Sequence, residues 1–502
     1  MASRAPIFAL SDEQIRARVA RARTDSEQML VRIRLAKAAG NQLAVTRHTE
    51  RFLRSFDSRL VAAADAQLAL IARVKRNATR NPSGARRSNS VPSLTEVLGL
   101  AETINMWAPT NELATQVDIA KPNGGRRRLT ILRRDRLARS YLLKRLLTAT
   151  TQLHPGQLAT SPEGLAGAHR RVIDILSDPR IKHVAMADIR TFYDNIDTTR
   201  LGRILGIPQI IVDNNVSYQT MQIVAHGDQD SSAVSENLAN EEERPGAETG
   251  LGLLEVERRT RAYDEDGFEL DVPVRWHSIS LYMYVNDRRG TGIPQGAPSS
   301  AIIGEIVVKH ALVALPSNVI PVSWIDNVYQ FGASRAEVSL AAETLRSTML
   351  EAPTGPFSLH DESIRRVADG FEALGGWFRR QRGRVTFRPT HANLRCHQVE
   401  VTRYLAVIAQ TGRGVREAQA YIRGWCEAFS QWPGAARLRR LELGFVNEVA
   451  QSRALYFRCD PTPRFARFLG IDRLLTMPCD LSILWSPPPI TGVSSAARSS
   501  GQ

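Results

Sequence analysis

An α+β fold is expected of this chain, and three observations predict it. Both ends read as helical and Arg-rich. Between about Ser93 and Pro389, short apolar strand-like runs alternate with helical stretches. A hydrophobic fraction of 43% and a charged fraction of 23% are ordinary for a globular protein, which excludes collagen-like, wholly disordered and disulfide-scaffold classes. The 502 residues suffice for about three domains at roughly 100–200 residues each. With 66 Lys+Arg against 51 Asp+Glu the formal charge is +15, which points either to a polyanionic partner or to solvated basic faces.

From Ser11 to about Arg76 the pattern is helical. Ser11 followed by Gln14 predicts a capping box, and Ile15, Val19, Ala22, Met29, Leu30 and Ile33 recur at helical spacing. Arg16, Arg18, Arg23, Arg32 and Arg34 dominate the opposite face. Residues 1–80 are therefore expected to be a helical, Arg-rich N-terminal extension. The turn-rich stretch 81–93 is expected to be a linker, and 94–390 the mixed domain. Within it, 221–271 carries 14 acidic residues against four arginines and is expected to be an outward-facing insertion. Residues 391–486 read as helical again, with Trp425, Trp432 and Phe445 available for a small core, and 487–502 as a flexible tail. Cys396, Cys426, Cys459 and Cys479 form no C-x-x-C pair and are expected to be buried free thiols in a reducing compartment. No apolar run reaches the roughly 18 residues of a spanning helix. Met1–Leu10 lacks the build of a signal peptide, so a cytoplasmic protein without membrane contact is expected.

Four segments carry chemistry. His183–Asp197 reads as a short apolar strand that delivers Asp188 at its end, followed by aromatics and a helix start. Pro321–Gly332 reads as a hairpin with Asp326 at its tip. Carboxylates raised on neighbouring strands can hold two Mg²⁺ ions about 3.5–4 Å apart for in-line phosphoryl transfer, although Asp also commonly caps a strand end. Lys121–Ile131 is a glycine turn between basic arms, suited to gripping a triphosphate. Gly292–Ile303 is a tight Gly/Pro loop leading into an apolar helix, where the backbone can approach a base or sugar closely.

In this order the segments resemble the fingers and palm of the reverse transcriptases, with Ala373–Phe378 similar to the Leu-Gly turn with which that family grips the primer. The resemblance runs from Lys121 to Pro389. It implies a right-hand polymerase fingers–palm with an antiparallel palm sheet, flanked by the helical extension and a helical thumb-like region. It places Asp188, Asp326 and Asn327 at the catalytic centre. Asp188, Asp326 and the main-chain oxygen of Ile189 become ligands of two Mg²⁺ (or Mn²⁺) ions. Tyr193 stands where the family keeps an aromatic that collides with a 2′-hydroxyl, which favours deoxynucleotides. Gln295 and Gly296 would line the nucleotide pocket, Lys121, Arg126 and Arg128 would meet the triphosphate, and Leu374, Gly375 and Gly376 would form the primer grip.

Two departures stand out. The family's Tyr-x-Asp-Asp hairpin is Trp324-Ile325-Asp326-Asn327 here, one negative charge fewer, and the acidic segment lengthens the span between Asp188 and Asp326. The implied function is RNA-directed DNA polymerisation, adding dNMPs to a 3′-hydroxyl. Its partners would be an RNA template (which could be a dedicated non-coding RNA), a DNA product and dNTPs, with homo-oligomerisation left open. Endonuclease signatures, an RNase H acidic cluster and the Val-Thr-Gly triplet of retron enzymes are not seen. By exclusion the chain is most similar to bacterial defence-associated or abortive-infection reverse transcriptases, which implies a role in antiphage defence. Two rivals stay open: a polymerase-like RNA-binding scaffold without catalysis, favoured by Asn327, and a viral RNA-dependent RNA polymerase. Asp194 and Asp197 read as cap or surface residues. The run Arg379, Arg380, Arg382, Arg384 is either a solvated hairpin or a template–primer contact. His183, His391 and His397 show no ligand spacing, Cys396-His397 is no zinc signature, and no zinc is assigned.

Overall fold

The computed structural model describes residues 11–80, 94–120, 126–225, 262–263, 269–270, 282–284 and 292–456. The expected linker, most of the acidic insertion, Cys459, Cys479 and the tail lie outside the described residues. The chain begins with helices α1 (Asp12–Ala38), α2 (Gln42–Arg54), α3 (Phe56–Arg80) and α4 (Leu94–Thr103), then strands β1 (Ala114–Ala120) and β2 (Arg126–Ile131). Next come α5 (Arg134–Thr150), α6 (Gly164–Ser177), β3 (His183–Ile189), α7 (Leu201–Leu205), α8 (Gln209–Asn215) and the short strands β4 (Ile223–Ala225), β5 (Ala262–Tyr263), β6 (Glu269–Leu270) and β7 (Tyr282–Tyr284). They are followed by α9 (Ser300–Val313), β8 (Ile320–Trp324), β9 (Asn327–Gly332), α10 (Arg335–Leu350), β10 (Leu359–Arg366), β11 (Phe371–Ala373), β12 (Gly376–Gln381) and β13 (Arg384–Pro389). Helices α11 (His391–Thr411), α12 (Val415–Ala428) and α13 (Ala435–Tyr456) close the described chain. This is the mixed helix and antiparallel-sheet fold expected. Two compact units divide it, the first comprising 1–71, 91–160 and 182–364, the second 72–90, 161–181 and 365–502, so the expected mixed domain 94–390 is shared between them.

In the first unit, the N-terminal stretch expected to be helical is so, and it divides into separate helices. α1 stops at Ala38, Gly40 turns the chain with φ +66°, and Asn41 caps α2 by accepting from the Ala44 N–H. The predicted capping box is present: Gln14 N–H donates to Ser11 Oγ at 3.3 Å and Ser11 N–H to Gln14 Oε1 at 2.8 Å. Ile15, Ala22, Leu30 and Ile33 are buried, with Val19 and Met29 at the edge of the same core. Part of the arginine face serves the fold itself, since Arg23 pairs with Asp65 at 2.8 Å and Arg18 lies over the Phe56 ring.

Besides the two-stranded pair β5-β6, two larger sheets complete this unit. β2-β1-β4-β7 form one, with β1 antiparallel to β2 and parallel to β4. β10-β3-β9-β8 form the other, which seats β3 and β9 in its interior. Val184, Val322, Val328 and Phe331 are fully buried there; α10 packs on β3 and β9, with its Val338 and Leu345 buried, and α9 packs against α10 and α5.

The second unit joins the antiparallel meander β11-β12-β13 to α6 and the C-terminal helices. Val401, Leu405, Ile408, Ile422, Cys426, Val446 and Val449 form the helical core. Cys426 is buried as expected, but Cys396 is exposed: the buried stripe of α11 runs through Leu394, His397, Val401 and Tyr404, and Cys396 falls off it. The arginine run is resolved in favour of structure at one position. Arg380 donates to the main-chain oxygens of Leu176 (3.0 Å), Asp178, Pro179 (3.3 Å) and Ile181 (2.5 Å), fastening β12 to the end of α6, and Arg379 Nε donates to Ala368 O at 2.9 Å. Among the described residues no helix is long and apolar enough to cross a membrane.

Removing Arg380 would orphan several carbonyls at once. Arg380→Ala is expected to lower stability by about 2–4 kcal/mol, against less than about 0.5 kcal/mol for the exposed Arg384→Ala, measured by denaturant unfolding. Equal effects of the two variants would contradict this assignment.

Candidate functional site

β3 carries Asp188 to the end of the sheet, where the register sets Asp188 opposite Asn327 of β9. Opposed residues of an antiparallel pair lie about 4.5–5.5 Å apart at Cα, so the strand ladder alone draws the two predicted motifs together. The main chain continues the contact, with Ile189 N–H donating to Asp326 O at 2.9 Å. Ile325 and Asp326 form the two-residue turn between β8 and β9, and Ile325 sits in the left-handed region at φ +58°. A β-branched side chain disfavours that conformation, at a cost of order 1–3 kcal/mol. Asn327 turns its amide onto its neighbour, Nδ2 donating to Asp326 Oδ1 at 2.9 Å.

After β3 the chain turns through Thr191, also left-handed at φ +46°, into a single 3₁₀ turn, Phe192–Asn195. Asn195 Nδ2 fixes that reversal by donating to Thr191 Oγ1 at 2.6 Å. Phe192 points inward against Phe357, with ring centres 5.4 Å apart, while Tyr193 stays half-buried. Helix α9 approaches both rings through Gly304. A Cβ there would lie 3.0 Å from Phe192, 3.4 Å from Ile325 and 3.6 Å from Tyr193, so even alanine would press on the Phe192 ring.

The Pro-Gln-Gly loop is pinned from two sides. Ile293 N–H donates to Tyr193 O at 2.9 Å and Gly292 N–H to Ile196 O at 2.8 Å, while Gln295 O accepts from Thr130 N–H of β2 at 2.8 Å. Gly296 has φ +103°, and a Cβ would meet Thr130 O at 3.2 Å, which reserves this position for glycine. Tyr218 closes the corner through its hydroxyl, 2.8 Å from Thr130 Oγ1. Burial pushes the Tyr218 phenol above its ordinary value, so it stays protonated at neutral pH. Arg126 and Arg128 lie on β2 leading to this corner, the side chain of Arg128 being exposed. Lys121 lies outside the described residues. The structure thus joins Asp188, Ile189, Asp326 and Asn327 through the strand pair and its turn, and ties the loop bearing Gln295 and Gly296 to Tyr193 and to β2.

Leu374, Gly375 and Gly376 belong to the second unit. Leu374 and Gly375 have φ of +54° and +70° and form a tight two-residue turn joining β11 to β12. Leu374 O faces His169 Nε2 at 2.9 Å, and His169 Nδ1 faces Ala428 O at 2.8 Å, with the ring packed among Phe378, Phe387 and Phe429. Burial lowers the His169 pKa. Asp197 forms a side-chain turn, its Oδ1 accepting from Thr199 N–H at 2.9 Å, and does not cap the next helix, whose N-cap is Arg200.

Three residues of this region gave no signal in the sequence. His360 of β10 donates from Nδ1 to Asp188 O at 3.1 Å and lies 3.6 Å from the Asp188 carboxylate. Glu305 stands in the apolar run of α9, fully buried, and Gln157 meets it from 148 residues away. Burial pushes the Glu305 carboxyl up to about 7, against hydrogen bonds from Ile325, Ala159 and Gln157 that pull it down.

Among the described residues no three His, Cys, Asp or Glu side chains cluster as a complete metal cage. The donor set at Asp188 and Asp326 is nonetheless one that Mg²⁺ accepts, because that ion takes one or two carboxylates and completes its shell with water and substrate phosphate. Both carboxylates keep access to solvent: Asp188 is 32% exposed and Asp326 half-buried.

No protein-family model matches the chain, and no curated protein matches it. Among solved structures it is similar to telomerase from Candida albicans in complex with a fragment of telomeric RNA, at 12% identity and a TM-score of 0.30, over 73% of this chain. The chain spans 65% of the length of that telomerase chain.

The raised Glu305 pKa makes a signed prediction. A carboxyl whose folded pKa of about 7 exceeds the ordinary 4.5 contributes stability that is full below pH 4.5 and lost as pH rises through 7. The stability of the native protein relative to Glu305→Gln is therefore expected to fall by up to about 3 kcal/mol between those pH values, measured by urea unfolding. A pH-independent difference would contradict it.

Proposed function

We propose that the chain is a template-directed nucleotidyltransferase of the reverse-transcriptase type, with the first unit supplying fingers and palm. One observation carries the reading: Asp188 and Asp326 stand at adjacent ends of two interior strands, tied by the Asp188–Asn327 pair and by the Ile189 N–H to Asp326 O bond. In this reading Asp188, Asp326 and the Ile189 carbonyl hold two Mg²⁺ or Mn²⁺ ions. Bound there, the ions would lower the pKa of a primer 3′-hydroxyl and neutralise the leaving pyrophosphate. The protein's own part is positioning, which supplies much of the acceleration in such chemistry. Tyr193 closes the space beneath the sugar, with the Phe192 ring 5.5 Å away, and so disfavours a 2′-hydroxyl. Gln295 and Gly296 present main chain to the incoming dNTP, and Arg126, Arg128 and Lys121 meet its phosphates. Asn327, by donating to Asp326, fixes that carboxylate without adding charge.

The template is RNA and the product DNA on this reading, with Leu374, Gly375 and Gly376 gripping the primer and arginines of the helical regions holding the backbone. Affinity for template–primer should fall steeply with salt. A dedicated non-coding RNA as template, homo-oligomerisation and a place in bacterial antiphage defence belong to the same proposal and rest on the sequence resemblance.

The test is incubation of the purified protein with Mg²⁺ or Mn²⁺, labelled dNTPs and a primed RNA. Incorporation of dNTPs in preference to rNTPs is expected, lost by at least about 10³-fold in Asp188→Ala with the fold intact. Tyr193→Ala is expected to gain rNTP incorporation. RNA binding without incorporation under any metal would establish the scaffold reading instead, and native preference for rNTPs the RNA-polymerase reading.

A further inference from the structure

The turn that carries Asp326 is strained, and the sheet does not account for how it is held. β8 and β9 fix its two ends, but the left-handed Ile325 between them needs its own partner for the N–H it presents. That partner is Glu305. Its Oε1 accepts from Ile325 N–H at 3.3 Å and from Ala159 N–H at 3.3 Å, and its Oε2 accepts from Gln157 Nε2 at 2.8 Å. Gln157 is itself fixed, with His154 N–H donating to its Oε1 at 2.8 Å and its own Nε2 also donating to Glu305 O. The loop bearing Gln157 runs along the edge of β8, with Ser323 N–H donating to Gly156 O at 2.8 Å and Leu158 N–H to Ser323 O at 3.1 Å.

A carboxylate in this place demands a reason. Glu305 is fully buried and draws three N–H donors from two separate segments, the loop bearing Gln157 and Ala159 and the turn bearing Ile325, with no cation among the groups that shift its pKa. Burying an acid there is costly, and an apolar residue would suit the surrounding run Ile302, Ile303, Ile306, Val307 far better. Glutamine at the same place would offer a single accepting oxygen and turn a donor toward Gln157. Only a carboxylate accepts on both oxygens at once. Gly304, next in the chain, brings the helix close enough for the contact, its Cα face lying against Ile325 Cγ2.

We propose that Glu305 is a positioning residue of the catalytic turn: its buried carboxylate, braced by Gln157, holds the Ile325 main chain in the left-handed conformation that presents Asp326 to Asp188. The role rests on the nucleotidyltransferase reading of the site, and it adds a residue that the family resemblance did not supply. Glu305 touches neither substrate nor metal ligand; it acts through the backbone of Ile325.

Two readouts on the full-length protein test it. In hydrogen exchange followed by mass spectrometry, Glu305→Ala should speed exchange in the peptide spanning Trp324–Asn327 while the peptide covering His183–Ala187 keeps its protection. In dNTP incorporation, kcat should fall by about 10²-fold with KM for dNTP within about twofold, the split expected of a misplaced catalytic group. Should Glu305→Ala fail to fold, Gln157→Ala loosens the same brace and carries the same two expectations. Unchanged exchange at the turn, or an unchanged kcat in a native protein that does incorporate dNTPs, overturns the proposal. A native protein that incorporates nothing defeats the polymerase reading alone, and the exchange result then decides the role of Glu305.

Discussion

Ile325 holds a backbone conformation that costs of order 1–3 kcal/mol, and the candidate centre exists only while that cost is met. The left-handed residue lets β8 reverse into β9 in two residues and leaves Asp326 at the tip, its carbonyl receiving Ile189 N–H from the neighbouring strand. The compensation comes from packing and hydrogen bonding around the turn. Ile325 lies against the main core, Gly304 admits the helix beside it, and Asn327 ties the Asp326 carboxylate from the far side. Strained positions of this kind persist only where their surroundings over-determine them.

The same logic extends outward from the turn. Helix α9 joins two features, because the Gly/Pro loop that precedes it is fastened to Thr130 of β2 and to the Tyr193 carbonyl, while its body carries Gly304 and Glu305. Ser300 Oγ donates to Pro294 O at 2.7 Å, and the Ser299 hydroxyl lies 2.9 Å from that of Ser140, so the loop and the start of the helix form one rigid piece. A displacement of α9 would move the Pro-Gln-Gly loop and the turn bearing Asp326 together.

Much of this was legible in the sequence, because its parts are local. A short apolar run marked β3, β-rich runs around Asp326 marked the hairpin and its tip, and Ser11 with Gln14 marked the helix start that the structure shows. What failed depended on long-range geometry or on breaks that periodicity overlooks. The helical reading to Arg76 held but did not place the division at Gly40 and Asn41, although both residues are common helix punctuation. Cys396 was assigned to a core from its residue type, when its place on the helix face decides exposure. Glu305 sat in an apolar run and looked like a helix residue of no consequence, since its partner Gln157 is far away in the chain. His360 belongs to no motif and reaches Asp188 only because β10 borders β3. Arg380 could not be told from its neighbours until its four carbonyl partners were in place.

The central claim is that a strained turn and an antiparallel pair join Asp188 and Asp326 into one site for two divalent ions. Mn²⁺ titration followed by electron paramagnetic resonance, on the full-length protein with primed RNA and a non-reactive dNTP analogue, tests it most directly. The account predicts a spin-coupled pair of Mn²⁺ ions, as expected of ions about 3.5–4 Å apart, with the coupling lost in Asp188→Ala and in Asp326→Ala. Isolated, uncoupled Mn²⁺ signals, or a coupled pair that survives both substitutions, would contradict it.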